Sequence, residues 1–555
     1  MLRPNSYAKA LKRKGFALTL ISVLTMTGLA NPAIAGGKIP ANIPQLGLQF
    51  IEDWLVASFP DVFLAVNNPS DASTWVDCEN VDDPKCTAAS TVLTSKYFPI
   101  CKSDTKLSCI KEVWAVNQSG KRISGQFAQY VPQQSKYDFP EIPEMNIPES
   151  KGLGAVWRIP DVKNSSGEDF YFVTMRNLAY INKPANQSLR QSKNVIGELN
   201  AMIVPVQKIG GTYRELIANG FSANHDAKAP DGSACVVVET SNCFAQRKFP
   251  NGYKFGMTIK LSEKLSGWFH GRLEQPNIIT KDWLNGQEIS IEATPVTVPE
   301  LDFMVPNSEI PEPIRKLVFS ENSFGISGTP AFGIKIVEYL SSPRAMELTE
   351  GFLPAINDKA TNSNSFWSFK KLNYGSNDVV RRCSDNTGKL AGVVTTNSLT
   401  YSAGPPSFDE ITGVLTYKLT SPHYLESGQV AAGSYDLALR SDVARCLYGF
   451  SDAPVQAEIS ITSEGGEKRI ATTVVREKSG WLYLSAKGFG FSSPTINVKL
   501  SQEKIDAPAP ASSPSESPVV KPVAKKKVTI SCVKGKTAKK VTAVKPKCPA
   551  GYKKK

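Results

Sequence analysis

Apolar and polar residues alternate along much of the chain. In YKFGMTIKL, the residues Tyr253, Phe255, Met257, Ile259 and Leu261 recur with a period of two, which places them on one face of a strand. Similar alternation in AEISITS, WLYLSA and TINVKL predicts further inward residues: Ile459, Ile461, Leu482, Leu484, Ile496, Val498 and Leu500. Glycine and proline interrupt these runs at intervals typical of sandwiches. We therefore expect a mainly β protein with several antiparallel β-sandwich-like domains.

Two segments predict short helices instead. In SSPRAMELTEGFLPAI, Ser342 can cap a helix whose first position is Pro343, and Pro354 ends it. Its apolar face would consist of Ala345, Leu348 and Phe352. PEPIRKLVF, starting at Pro311, predicts the second helix.

Two segments also resemble each other. EKLSGWFHGRLEQPNI from Glu263 and EKSGWLYLSAKGFGFSSPTI from Glu477 share a turn, an apolar strand and a final P-x-I. Either an internal duplication or the frequent use of Ser-Gly turns in β proteins explains this similarity.

The first 35 residues have the three parts of a secretory signal peptide. A basic start precedes the apolar run FALTLISVLTMTGLA, and Ala33 and Ala35 provide a small-residue cleavage site. The run is shorter than the roughly 20 residues of a membrane-spanning helix. We expect cleavage after Ala35, no membrane span afterwards, and a secreted protein that is extracellular or associated with the cell wall.

Composition and spacing divide the rest of the chain. The segment DAPAPASSPSESPVVKPVA lacks large apolar residues apart from valine and is typical of an extended linker. The predicted division is a signal peptide at 1–35, a cysteine-rich N-terminal β domain at 36–140, a β domain at 141–305, a mixed segment with a short helix at 306–390, a β domain at 391–505, a linker at 506–524 and a basic tail at 525–555.

Ten cysteines in an exported chain favour disulfides. Three pairs each enclose seven residues, and the remaining four cysteines suggest one long-range bridge and one bridge in the tail. The predicted pairs are Cys78–Cys86, Cys101–Cys109, Cys235–Cys243, Cys383–Cys446 and Cys532–Cys548. Spacing leaves Cys78–Cys109 with Cys86–Cys101 as a rival. Zinc is disfavoured because no C-x-x-C pair occurs and the sequence has only three histidines, and we predict no cofactor.

The positive net charge of +13 comes from the two ends. Residues 1–35 carry +5 and residues 525–555 carry +12, so the stretch between them has a charge of −4. An acidic body gives no electrostatic support to a nucleic-acid groove, and we expect no nucleic-acid partner.

The sequence contains no G-x-x-x-x-G-K-[ST], G-x-G-x-x-G, G-x-S-x-G or H-E-x-x-H motif and no EF-hand loop. His225, His270 and His423 are dispersed, and His225 beside Asp226 is more typical of a surface loop than of a triad. Trp268, His270 and Arg272 share one face of a predicted strand, which suits either a sugar-stacking platform or, preferably, cross-strand packing. Carboxylate pairs of a glycosidase are defined by distance in space, so the sequence nominates no catalytic residue.

The tail encloses fifteen residues between Cys532 and Cys548 and contains no carboxylate. A compact polycation on a proline-rich spacer suits an anionic polymer, although a merely solubilising tail would have the same composition. The candidate envelope-binding residues are Lys534, Lys536, Lys539, Lys540, Lys545, Lys547, Lys553, Lys554 and Lys555.

This ending resembles a C-terminal signature, C-V-K-G-K…P-x-C-P-x-G-Y-K-K-K, of exported actinobacterial proteins. The matching residues are Cys532, Lys534, Gly535, Lys536, Val544, Pro546, Cys548, Pro549, Gly551 and Tyr552. The stretches SGWFHGRLEQPNI, SDVARCLYGF and SGWLYLSAKGFGFSSPTI also resemble segments of uncharacterised secreted proteins of that group. The resemblance implies a lineage and a location, but no activity.

These observations predict a non-catalytic protein of the cell envelope or exterior. Its tail would bind an anionic cell-wall polymer or glycan, and its body would bind a glycan or another surface protein. The alternatives are a secreted polysaccharide hydrolase with unidentified carboxylates and a structural surface-layer component.

Overall fold

A computed structural model gives the positions of most of the chain. It describes residues 45–51, 64–68, 71–133, 138–193, 196–211, 217–218, 221–222, 229–239, 241–319, 334–339, 344–372, 378–384, 388–451, 455–462, 468–471, 476–491, 494–502, 528–543 and 545–555. The predicted signal peptide and linker, together with Ser342, Pro343 and His225, lie outside these residues. Within them, no helix combines the length and apolarity needed to cross a membrane.

Strands dominate the described residues, which confirms the predicted fold class. The strands are β1 Gln45–Ile51, β2 Leu64–Asn68, β3 Asp71–Asp77, β4 Thr91–Tyr97, β5 Cys109–Val116, β6 Arg122–Ser124, β7 Gln126–Val131, β8 Gly154–Arg158, β9 Phe170–Asn182, β10 Glu198–Gly210, β11 Ile217–Ala218, β12 Phe221–Ser222, β13 Cys235–Glu239, β14 Asn242–Gln246, β15 Lys254–Leu261, β16 Gly267–Trp283, β17 Gly286–Glu300, β18 Asp302–Pro306, β19 Ile334–Tyr339, β20 Asn362–Lys371, β21 Leu390–Thr396, β22 Thr400–Tyr401, β23 Ser407–Asp409, β24 Val414–Thr420, β25 Gly433–Arg440, β26 Val455–Thr462, β27 Lys468–Ala471, β28 Arg476–Lys478, β29 Trp481–Phe489, β30 Thr495–Gln502, β31 Val528–Lys534, β32 Thr537–Ala543 and β33 Lys553–Lys554. The helices are α1 Pro84–Ala88, α2 Glu312–Phe319, α3 Ala345–Phe352, α4 Asp378–Ser384 and α5 Ser441–Tyr448.

The largest sheet closes on itself. Paired strands follow the order β15, β17, β16, β20, β10, β9, β8 and β7. The chain connects β7 directly to β6, which pairs with β5, and β5 pairs with β15 to close the sheet. The chain turns from β6 to β7 at Gly125, where a Cβ atom would lie 2.9 Å from the carbonyl oxygen of Val113. Strand β4 extends this sheet beside β9, and β21 extends it beside β16.

Apolar side chains fill the closed sheet. Phe255, Met257, Ile259 and Leu261 all belong to this core, as their alternation predicts. Burial of such side chains is the main favourable contribution to folding, at about 25 cal/mol per Å² of apolar surface. Gly256, on the opposite face of the strand, is also buried, because the ring of Trp114 lies where its Cβ atom would be.

A second core lies between two sheets in a sandwich-like arrangement. Ile459 and Val498 come from the six-stranded sheet of β22, β23, β24, β30, β26 and β27, and Leu437 and Leu482 come from β25 and β29. The seven inward residues predicted on β26, β29 and β30 are all buried. A smaller sheet joins β1 antiparallel to β18 and parallel to β19.

Both predicted helices are present. Ala345, Leu348 and Phe352 are buried on the inner face of α3, which begins after Arg344 and therefore starts later than predicted. Pro354 does not end the helical segment, because a 3₁₀ turn at Leu353–Ile356 continues it. Helix α2 matches the second predicted segment.

The two S-G-W segments occupy different places in the sheets. Trp268 lies near the start of β16, which pairs with β21 in parallel. Trp481 starts β29, which pairs antiparallel with β25 and β28. The similarity of the two segments therefore does not extend to their strand partners.

The chain divides into two compact units, the first ending at Glu503 and the second beginning at Lys504. Within the first unit, strands from both sides of the predicted boundaries at residues 140, 305 and 390 pair with each other, for example β5 with β15, β17 with β20 and β16 with β21. The four segments of the body thus contribute to a shared set of sheets.

The structure contains the five disulfides that the spacing favoured: Cys78–Cys86, Cys101–Cys109, Cys235–Cys243, Cys383–Cys446 and Cys532–Cys548. The rival Cys78–Cys109 and Cys86–Cys101 pairing does not occur. Cys235–Cys243 joins the two strands of the β13–β14 hairpin, and Cys383–Cys446 joins α4 to α5.

Candidate polyanion-binding site

The basic tail folds as a three-stranded antiparallel sheet. Strand β31 lies in the middle, between β32 and β33. Gly535, with a φ of 58°, makes the tight turn between β31 and β32, because left-handed backbone is readily adopted by glycine. The disulfide Cys532–Cys548 connects the middle strand to the segment before β33.

Strand register distributes the lysines over both faces of this sheet. Lys539 and Lys554 lie opposite Cys532 from either side and therefore share its face. Lys540, opposite Ser531, and Lys553, opposite Val533, lie on the other face. All nine predicted lysines are exposed.

The electrostatic field of this sheet is uniformly positive. No aspartate or glutamate occurs between residues 525 and 555, so no carboxylate side chain of the tail can neutralise these charges. Tyr552 is half-buried, and the Nζ atom of Lys539 lies 5.6 Å from its ring centroid, within cation–π range. The arrangement can attract a polymer with closely spaced anionic groups.

The predicted aromatic face in the body is buried. Trp268, His270 and Arg272 are 3%, 2% and 1% exposed, so the face packs inside the protein and is not open to a sugar. The His270 ring stacks on Tyr401 with centroids 3.6 Å apart, and Arg272 donates hydrogen bonds to backbone carbonyls, including that of Leu399 at 2.9 Å. Of the two interpretations of this face, packing within the protein agrees with the structure, and a sugar-stacking platform does not.

The two described histidines, His270 and His423, have separate environments. Burial, and secondly the charge of Arg272, lowers the pKa of His270 well below 6.5. His423 donates its backbone N–H to Asp358 at 2.7 Å and contacts Tyr424 edge to face. In the described part of the chain, no three His, Cys, Asp or Glu side chains are grouped as metal ligands.

Two carboxylates that influence each other, Asp436 and Glu274, are held by contacts within the protein. Asp436 is 4% exposed and accepts the backbone N–H of Gln275 at 2.7 Å, where β16 has a bulge. Burial raises the pKa of Asp436, and the nearby charge of Glu274 adds to this effect. Glu274 in turn forms an ion pair with Lys487. Both carboxylates are thus engaged in contacts within the protein.

A buried polar cluster was not predicted from the sequence. Lys96 on β4 lies directly opposite Asn177 on β9, and their exposed fractions are 1% and 0%. Glu263 interacts with Lys96 and Lys371 through charge. The only local signal was a lysine on the same strand face as Val92 in TVLTSKYF, since the other members are distant in sequence.

Comparison with known proteins adds no relative. The chain matches no protein-family model, and neither the curated proteins nor the solved structures include a significant match.

Proposed function

We propose that the tail sheet retains the protein on an anionic polymer of the cell envelope, while the body is presented outside. The observation that carries this proposal is the disulfide-bonded sheet with nine exposed lysines and no carboxylate side chain. Such a surface gains affinity from many weak ionic contacts, and salt weakens them because, at about 0.1–0.15 M, it screens exposed charges that are more than about 8–10 Å apart.

The export of the chain and its actinobacterial lineage are parts of the same proposal. The N-terminal signal pattern supports export, and the five disulfides are compatible with an oxidising compartment. The acidic body supports a division of roles, because its charge of −4 gives it little attraction for an anionic polymer.

Sedimentation with isolated actinobacterial cell walls tests the proposal. Mature protein, residues 36–555, would be compared with a form that stops at Ile505, just after the body unit ends. We expect only the longer form to sediment, and increasing salt to release it.

The same assay can distinguish the effect of the positive charges of the tail from that of its shape. One variant replaces Lys539, Lys540, Lys553 and Lys554 with glutamine, and its matched control replaces the same four residues with arginine. The arginine form should bind as the native protein does, and the glutamine form should bind more weakly at low salt. Equal binding of the two forms, or binding by the form ending at Ile505, would refute the proposal.

A further inference from the structure

Lys96 and Asn177 form a cross-strand pair inside the protein. In antiparallel strands, directly opposite Cβ atoms lie about 4.5–5.5 Å apart, and a lysine side chain is long enough to reach across this gap. Phe98 and Met175, the next pair on the same face, belong to the apolar core of the closed sheet. The pair therefore lies in a region that excludes water.

Two consecutive backbone amides bind a carboxylate and the carboxamide of this pair. The N–H of Ile196 donates to Glu263, and the N–H of Gly197 donates to Oδ1 of Asn177 at 2.9 Å. Only glycine permits this approach at position 197, because a Cβ atom there would lie 2.2 Å from the carbonyl oxygen of Leu178. The Glu263 carboxyl and the Asn177 carboxamide thus accept hydrogen bonds from successive amides of one backbone segment, and the charge of Glu263 also acts on Lys96.

Burial of this cluster favours a neutral amine. Burial lowers the pKa of Lys96 to about 7, although the charge of Glu263 opposes this shift. Burial raises the pKa of Glu263, against its hydrogen bond from Ile196 and the charges of Lys96 and Lys371. Among the described residues, the Nζ atom of Lys96 has no hydrogen-bond partner, whereas that of Lys371 donates to the carbonyl of Ile196 at 3.1 Å.

We propose that Lys96 and Asn177 are joined by an intramolecular isopeptide bond, and that Glu263 transfers the protons. The neutral amine of Lys96 attacks Cγ of Asn177, the Nζ–Cγ bond forms, and the Cγ–Nδ2 bond breaks. One proton leaves the attacking nitrogen and one reaches the departing nitrogen, so that ammonia is released. No oxidant or reductant takes part.

Each neighbour has a defined effect on this reaction. The Gly197 N–H polarises the Asn177 carbonyl and stabilises the negative charge that develops on its oxygen. Glu263 accepts the proton of the amine and delivers it to the leaving nitrogen, which is general acid–base catalysis. The apolar core, with Phe98 and Met175, keeps water from competing as a nucleophile.

The mass of the intact protein tests the proposal directly. Mature protein, residues 36–555, would be produced under conditions that form its disulfides, then reduced, denatured and weighed by mass spectrometry. We expect a mass below that of the sequence by about 17 Da, one ammonia, since substitution at the carboxamide expels its nitrogen. Trypsin should not cleave after Lys96, and a branched peptide should join residues 86–102 to residues 177–190.

Two variants establish the mechanism. Glu263→Gln keeps a hydrogen-bond acceptor for Ile196 but cannot transfer protons, so the mass deficit and the branched peptide should disappear. Glu288→Gln is the matched control, because Glu288 lies on the same closed sheet and forms an ion pair with Lys111. It should retain the deficit.

The proposal fails if protein taken from a disulfide-bonded native sample has, after reduction, the full mass of its sequence and is cleaved after Lys96. In that case the cluster is a buried ion pair between Lys96 and Glu263. It also fails if the deficit maps to another lysine, such as Lys371. The native disulfide map, recorded before reduction, shows in each case that the protein had folded.

Discussion

Removal of the tail disulfide should unfold the tail sheet while leaving the body intact. In the described part of the tail, Cys532 is the only fully buried residue, so the sheet has almost no core of its own. Closing a loop of fifteen residues stabilises a protein by roughly 3 kcal/mol in the chain-entropy model. A three-stranded sheet with so little buried apolar surface cannot replace that contribution.

The test is hydrogen exchange on the full chain in which Cys532 and Cys548 are both serine. In the native protein, amides of β31 and β32 that are bonded across the ladder should exchange slowly. In the variant they should exchange at the rate of an unfolded peptide, and peptides from the closed sheet should be unchanged. Protection of residues 528–543 that persists in the variant would refute the reasoning.

Three further predictions concern the body. His270→Phe keeps a ring against Tyr401 but removes a group whose pKa is low in the folded state. Below pH 6.5 the unfolding free energy of the variant should therefore fall less steeply with decreasing pH than that of the native protein, by about 1.4 kcal/mol per pH unit. Equal pH slopes of the two proteins in denaturant titrations would contradict this. Asp436→Ala should be about 1–3 kcal/mol less stable than Asp436→Asn, because alanine leaves the Gln275 N–H without its acceptor. The native protein should lose stability as pH rises through the raised pKa of Asp436, and the Asn variant should not show this loss. Gly256→Ala should lower the unfolding free energy by about 1–3 kcal/mol, since its Cβ atom would lie 2.2 Å from the Trp114 ring, whereas Gly210→Ala, with no atom within 4 Å, is the control.

Local patterns predicted the strands but not how they pair. The period of two that includes Ile259 identifies β15 and its inward face. The same pattern does not indicate that β15 lies between β5 and β17, because pairing partners are chosen by packing across long stretches of sequence. The closed sheet was therefore not predictable from alternation, although the fold class was.

The same distinction applies to the candidate sites. The tail was predictable because its cysteines and lysines are close in sequence and form one local sheet. The Lys96 cluster was not, since Lys96, Asn177 and Glu263 meet only after β4 pairs with β9 and the loop before β10 approaches β9. His270 is an example of the opposite kind. Its place on one strand face with Trp268 and Arg272 suited a sugar-binding surface, but its ring packs against Tyr401 inside the protein.

The covalent links of the body differ in how much they should stabilise it, because they close loops of different length. Three disulfides join cysteines only eight positions apart, so each restricts a local turn and removes less entropy from the unfolded chain than a long loop does. Cys383–Cys446 spans 63 positions and restricts more. A Lys96–Asn177 bond would close a longer loop than any of these disulfides, and it would join strands that belong to the large sheet. Because the entropy lost by the unfolded chain grows with loop length, this bond should raise the unfolding temperature of the body more than any of the three short-loop disulfides does.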